Sequence, residues 1–170
     1  MQAGSAGLNR ASAARIRDSY DRLAPRIDAV VDRFYTNLFE LHPPVRALFP
    51  SDMTRQRAHF AAAVAVVARN ADRLEMLEMP LMELGAQHMR LGVTPEHYPA
   101  VRDALISALA EALGDHWTPR LKADWLAALN YVIITMLRGH ALVVLAAAAT
   151  IDPARAKPVG PPSPQQRPRF

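Results

Sequence analysis

Six histidines carry most of the chemical potential of this 170-residue chain, at positions 42, 59, 88, 97, 116 and 140, and there is no cysteine. Disulfides, thiolate metal sites, iron–sulfur clusters and cysteine nucleophiles are thereby excluded. The histidines are scattered, with no HExxH or ExxH pair, so a protein-only zinc site has no sequence support. No P-loop, GxGxxG turn or GxSxG nucleophile elbow is present either. Two histidines fall in register with apolar helix positions: His88 with Leu81, Leu84 and Leu91, and His140 with Val132, Met136 and Val143. A buried imidazole must satisfy both an N–H and a lone pair. Two roles are open for His88 on these grounds: a hydrogen-bonded core residue, or the axial ligand of a metallated macrocycle.

The elements that must position these residues read as helices throughout. Ile27, Val30, Val31, Phe34 and Leu38 repeat at the spacing of one helix face, as do Val101, Leu105, Leu109 and Leu113. Phe60, Val64 and Val67 make a shorter stripe, and a last one begins at Trp125. No strand-like alternation and no internal repeat occurs. The pattern predicts an all-α fold of about seven helices, with those near 95–114 and 119–149 the longest. Pro25 separates a first helix, about 9–23, from a second, and Pro43, Pro44 and Pro50 bracket a short helical turn. Thr94-Pro95 and Thr118-Pro119 read as threonine caps with proline at the first helical position. Pro80 is expected to break or bend the segment 74–90.

Composition, 51% hydrophobic and 21% charged, is that of a globular chain, and the length suits one domain. Net charge is +4, but residues 151–170 hold +3 of it in Arg155, Lys157, Arg167 and Arg169 against Asp152. The body, 1–150, is close to neutral and carries no basic block interleaved with aromatics, so no nucleic-acid partner is expected. Six of the 14 prolines lie in 151–170, which predicts a disordered basic tail. The N-terminal residues lack the apolar core of a signal peptide. Arg138, Gly139 and His140 interrupt the most lipophilic region, 132–151, so no membrane span is expected and a cytoplasmic location is inferred.

Two segments, FYTNLFELHPPVRALFP (34–50) and GAQHMRLGVTPEHYP (85–99), resemble the globins, above all bacterial single-domain haemoglobins and the globin domain of flavohaemoglobins. The similarity extends over about residues 9–145. It implies a globin fold around haem b (iron protoporphyrin IX), with His88 as the proximal iron ligand and Phe49 packed on the haem face. Val93 and Tyr98 belong to the same cofactor-binding set. On the opposite, distal face the resemblance places Tyr35, Gln56 and Phe60, the first two as donors toward a bound diatomic ligand. For His59, one turn from Gln56, three roles stand open: a haem propionate contact, an approach to the iron, or a surface position. His42, His97 and His116 are expected to face solvent.

One departure from the family pattern stands out. Flavohaemoglobin-type globins keep a glutamate on the last helix which, with the tyrosine matching Tyr98, polarises the proximal histidine. Here that position falls on His140, and an imidazole gives less electron push to iron than a carboxylate does. His140 either faces the proximal side or fills a helix interface. The resemblance implies reversible O2 binding first, for storage or transport, with NO and CO as further ligands. Nitric oxide dioxygenation comes second and needs a separate NAD(P)H-dependent reductase, because 170 residues leave no room for attached flavin and NAD(P)H domains. Gas or redox sensing is third.

Overall fold

In the computed structural model, residues 8–150 are described. They form six α-helices: α1 Arg10–Leu23, α2 Ile27–Leu41, α3 Thr54–Arg69, α4 Glu78–Arg90, α5 His97–Leu113 and α6 Pro119–Thr150. The expected all-α class holds, and no strand occurs among the described residues. Four short 3-10 turns, at Ala24–Arg26, Pro43–Leu48, Leu74–Leu77 and Gly114–His116, take up much of the chain between helices. The helix count is therefore six rather than about seven. The 3-10 turns are too short, and three of their positions are proline, for another α-helical ladder. The proline-rich segment 151–170 lies outside the described residues.

Helix starts follow local chemistry. The Asn9 side chain accepts the Ser12 amide at 2.9 Å to begin α1, and the Thr118 hydroxyl accepts the Leu121 amide at 3.1 Å ahead of Pro119. Thr94 does not cap in this way. Nδ1 of His97 accepts the Thr94 amide at 3.0 Å, Pro95 stays in the turn, and α5 begins only at His97. His97 is accordingly half-buried rather than solvent-facing, whereas His42 and His116 are exposed as expected. Pro80 is the third residue of α4, in the first turn, where its missing N–H leaves no helix bond unmade. The break falls before it, at the junction with Leu74–Leu77.

The apolar residues gather into two clusters of unequal size. The larger joins α1, α2, α3, α5 and the first half of α6 and includes Ile16, Phe34, Leu38, Leu105, Leu109 and Trp125. Trp125 is fully buried, and its indole N–H donates to the Ser19 hydroxyl at 3.0 Å, so its polar atom is satisfied inside the core. Asp124, one residue earlier, accepts two bonds from Arg15, at 2.5 and 3.1 Å, which tie α6 to α1. The smaller cluster centres on Leu81, Tyr98 and Met136, between α4, the start of α5 and the middle of α6. Here α4 and α6 meet backbone to backbone. A Cβ on Gly85 would run into the Met136 carbonyl, and one on Gly139 into the Met82 carbonyl.

That contact qualifies the expectation for residues 132–151. By length and composition α6 is apolar enough to cross a bilayer, with a mean hydropathy of 1.8 in its best window, and only 17% of that window is buried. Arg138, Gly139 and His140 break the apolar run but lie within the continuous helix, as its predicted span of about 119–149 requires. Trp125, Ala128, Thr135, Met136 and Gly139 are packed into the fold, while Leu142, Val144 and Leu145 beyond them are exposed.

Candidate functional site

Two walls hold the residues singled out by the sequence. α2 and α3 build the first. Tyr35 is 1% exposed and stands at the centre of an aromatic group: Phe34 at 4.7 Å, Phe39 and Phe49 at 5.6 Å, and Phe60 at 5.7 Å between ring centroids. The Phe60 ring stacks on Phe34 at 4.1 Å. The Gln56 side-chain amide donates to the Tyr35 hydroxyl oxygen at 3.2 Å. Because that oxygen accepts, the tyrosine proton remains available for another acceptor. Burial pushes the Tyr35 hydroxyl above its ordinary pKa, partly offset by the Gln56 bond, so it keeps that proton at neutral pH.

Sequence reasoning missed three residues that support this wall. Phe39 lies one turn after Tyr35 and meets Phe49 at 5.4 Å. Arg46 donates to the Phe49 carbonyl at 3.0 Å and lies over the Phe39 ring, which fixes the backbone that carries Phe49. Arg57 lies over the Tyr35 ring and pairs with Asp32 on α2. The i to i+4 spacing of Tyr35 and Phe39 was a readable signal; the two arginine contacts depend on folded geometry.

The second wall is α4, the turn after it, and the start of α5. Nδ1 of His88 lies 2.8 Å from the Leu84 carbonyl. A carbonyl can only accept, so Nδ1 carries the proton and the Nε2 lone pair is free. Burial, the larger effect, lowers the His88 pKa and favours the neutral ring, while the Leu84 bond works against it. Immediately after α4 the chain folds back: Gly92 has φ of 86°, and the Val93 amide donates to the carbonyl of His88 itself at 3.0 Å. Only a glycine adopts that backbone without strain. Tyr98, 5% exposed, holds its ring at 28° to the His88 imidazole with centroids 6.4 Å apart.

The expected apolar face around His88 is only partly covered. Leu81 is buried, but Leu84 is 36% and Leu91 72% exposed, and His88 is half-buried. The reason lies in the packing: α4 rests on α6, whereas α3 rests on α1 and α2. His59 is exposed on α3. His140 is half-buried on α6, with its Nδ1 enclosed. Among the described residues no three His, Asp or Glu side chains converge on a metal ion. Two shallow hollows, one beside Arg33 and Glu111 and one beside Tyr20 and Arg69, involve neither wall's candidate residues.

Comparisons with known proteins agree with this architecture. The chain is 33% identical over 101 residues to a flavohemoprotein of Bacillus subtilis, a match that covers 58% of this chain and 25% of that protein. It therefore spans about a quarter of the length of such relatives. Among solved structures, an engineered carbene transferase from Rhodothermus marinus, described as a putative nitric oxide dioxygenase, superposes with a TM-score of 0.73 at 29% identity; the match covers 83% of this chain and 99% of that one. A flavohemoglobin of Malassezia yamatoensis with bound FAD and heme gives a TM-score of 0.70 at 22% identity over 82% of this chain and 38% of that one, a likeness of fold alone. Residues 32–137 match the globin family, and with six helices in the arrangement shared by these structures, the chain belongs to that family.

Proposed function

We propose that this globin holds a haem between its two walls and binds O2 reversibly there. The observation that carries the reading is the state of His88: its Nδ1–H is fixed on the Leu84 carbonyl, which leaves Nε2 as a free ligand atom. A single imidazole ligand leaves one coordination position of the iron open to a diatomic gas. The residues fit such a group. The exposed apolar side chains of Leu84 and Leu91 suit a flat apolar macrocycle, with Phe49 packed on Tyr35 and Phe39 in one wall and Val93 bonded to the His88 carbonyl in the other. The iron would supply a site at which O2 takes on negative charge when bound.

The chain's own contribution is orientation and selectivity. Tyr35 keeps its proton and accepts a hydrogen bond from the Gln56 amide, so its hydroxyl is an oriented donor in an aromatic, water-poor surrounding. Donors of this kind favour a ligand that carries negative charge over an uncharged one such as CO, by about 1–3 kcal/mol per bond. Phe60 and Phe34 restrict space and water on the same side.

A second reading, nitric oxide dioxygenation, draws on the flavohemoprotein relatives and on the Rhodothermus protein. It would require an NAD(P)H-dependent reductase to restore the ferrous state. Haem b is the expected form of the cofactor under either reading. The test combines an O2 equilibrium measurement with stopped-flow mixing of the oxygenated protein with NO, with and without a reductase. Stable, reversible oxygenation with NO consumption limited to one turnover supports the carrier. Sustained conversion of NO to nitrate with a reductase would replace it with the enzyme.

A further inference from the structure

Past its crossing with α4 at Gly139, α6 continues to Thr150, and its surface changes character there. Leu142, Val144 and Leu145 are exposed, the last by 64%, and no described residue after His140 belongs to either apolar cluster. Residues 141–148, ALVVLAAA, carry no polar side chain, so this end of the helix is apolar on every side rather than along one stripe. A helix of that kind is ordinarily covered by protein or by lipid. The same surface reaches back onto the packed part of α6. Ile134, 61% exposed, precedes Leu145 by about three helical turns and so lies on the same side.

The residues that follow in sequence indicate what covers it. Segment 151–170 holds Arg155, Lys157, Arg167 and Arg169 against Asp152, a net +3 within a chain of +4. Covalent geometry alone keeps Arg155 within about 18 Å of Thr150 and Lys157 within about 25 Å. The partner must therefore offer apolar volume and negative charge side by side. A bilayer with anionic headgroups offers both in one plane. A second copy of this chain offers apolar surface with the same sign of charge, and a nucleic acid offers charge without apolar volume. Arg138 lies on the exposed side too, but Glu78 engages it at 2.6 Å, so the attraction rests with segment 151–170.

We propose that the exposed end of α6 and the basic segment after it form a docking surface for an anionic lipid bilayer. Ile134, Leu142 and Leu145 enter the boundary between headgroups and acyl chains, and the four cations meet the phosphates. Residues 141–148 are roughly 12 Å long, too short to span a hydrocarbon core of ~30 Å and long enough to lie in its interface. The rest of α6 cannot be drawn in to complete a span, because Trp125, Ala128 and Met136 are held in the core. Neither Tyr35 nor His88 takes part, so the surface stands apart from the haem-binding reading.

The test is co-sedimentation of the full chain with two kinds of vesicle, phosphatidylcholine alone and phosphatidylcholine mixed with phosphatidylglycerol, at low and high salt. Binding is expected to the mixed vesicles, falling as salt rises. Replacing the four cations together with glutamine should weaken it by roughly a hundredfold or more. Leu142→Gln with Leu145→Gln should weaken it by roughly tenfold or more, with the helical circular dichroism and melting temperature of the parent. Absence of binding, equal binding to both vesicles, or unchanged binding in the leucine variant would overturn the proposal. A dimer in sedimentation velocity that dissociates in the leucine variant would also overturn it, giving the surface to a second copy.

Discussion

The two walls of the site are built on opposite plans. On the Tyr35 side, Gln56 bonds the tyrosine hydroxyl, an arginine lies over its ring, and four phenylalanines surround it. On the His88 side, the imidazole has one bond, to its own helix, while Tyr98 and His140 each enclose an unmatched polar atom. The difference teaches that the first wall satisfies its polar atoms within the protein, while the second leaves polar atoms unmatched. A donor that must point one way benefits from a rigid aromatic cage, because a fixed dipole needs no reorganisation when charge appears. A ligand atom that must bond to something outside the chain has to be held while its lone pair stays free.

Substitutions can break this comparison. The largest effect is expected at His88: His88→Ala should abolish tight haem retention, with binding regained in added imidazole, as read by the haem absorption band. Loss of the band without rescue would mean that the wall collapsed rather than lost its ligand. Next comes the crossing that holds α4 in place. Gly139→Ala would push a methyl group into the Met82 carbonyl, and a loss on the order of 3 kcal/mol is expected in a denaturant titration. A neutral result there would show that α4 and α6 slide apart easily and that His88 is less firmly placed than its packing implies.

Tyr35→Phe probes the complete wall. O2 affinity should fall by roughly ten- to a hundredfold, through faster dissociation, while CO affinity changes little. Equal losses for both gases would point to a change of shape instead of a lost donor.

The smallest effect is electrostatic and remote from both walls. Burial works against the Asp124 carboxylate, but the Arg15 hydrogen bonds and charge outweigh it and hold its pKa below the ordinary value. A depressed carboxylate contributes stability above its unfolded pKa and loses it as pH falls through the folded value. Asp124→Asn should therefore destabilise at neutral pH and flatten the acid limb of the stability profile, which a thermal melt series from pH 7 downward would record.

Legibility in the sequence followed the same division. Helix periodicity marked Phe34 on α2 and Phe60 on α3, whereas Tyr35 and Gln56 were singled out only through the globin resemblance. Thr118-Pro119 was readable because a cap needs only its own neighbours. Thr94-Pro95 misled for a physical reason, since the His97 ring competes for the amide that a helix start would have used. The face around His88 read as buried apolar surface, yet Leu84 and Leu91 are uncovered, because periodicity identifies an apolar stripe without saying what lies against it. The Gly85–Gly139 crossing joins segments more than 50 residues apart and left no local signal.

The most direct test of the account is the absorption and resonance Raman spectrum of the reduced, ligand-free protein beside that of His88→Ala. The account predicts a haem band with an iron–histidine stretch in the parent chain, and loss of that stretch in the variant until imidazole is added. Absence of a haem band after reconstitution, or an iron–histidine stretch that survives the loss of His88, would contradict it.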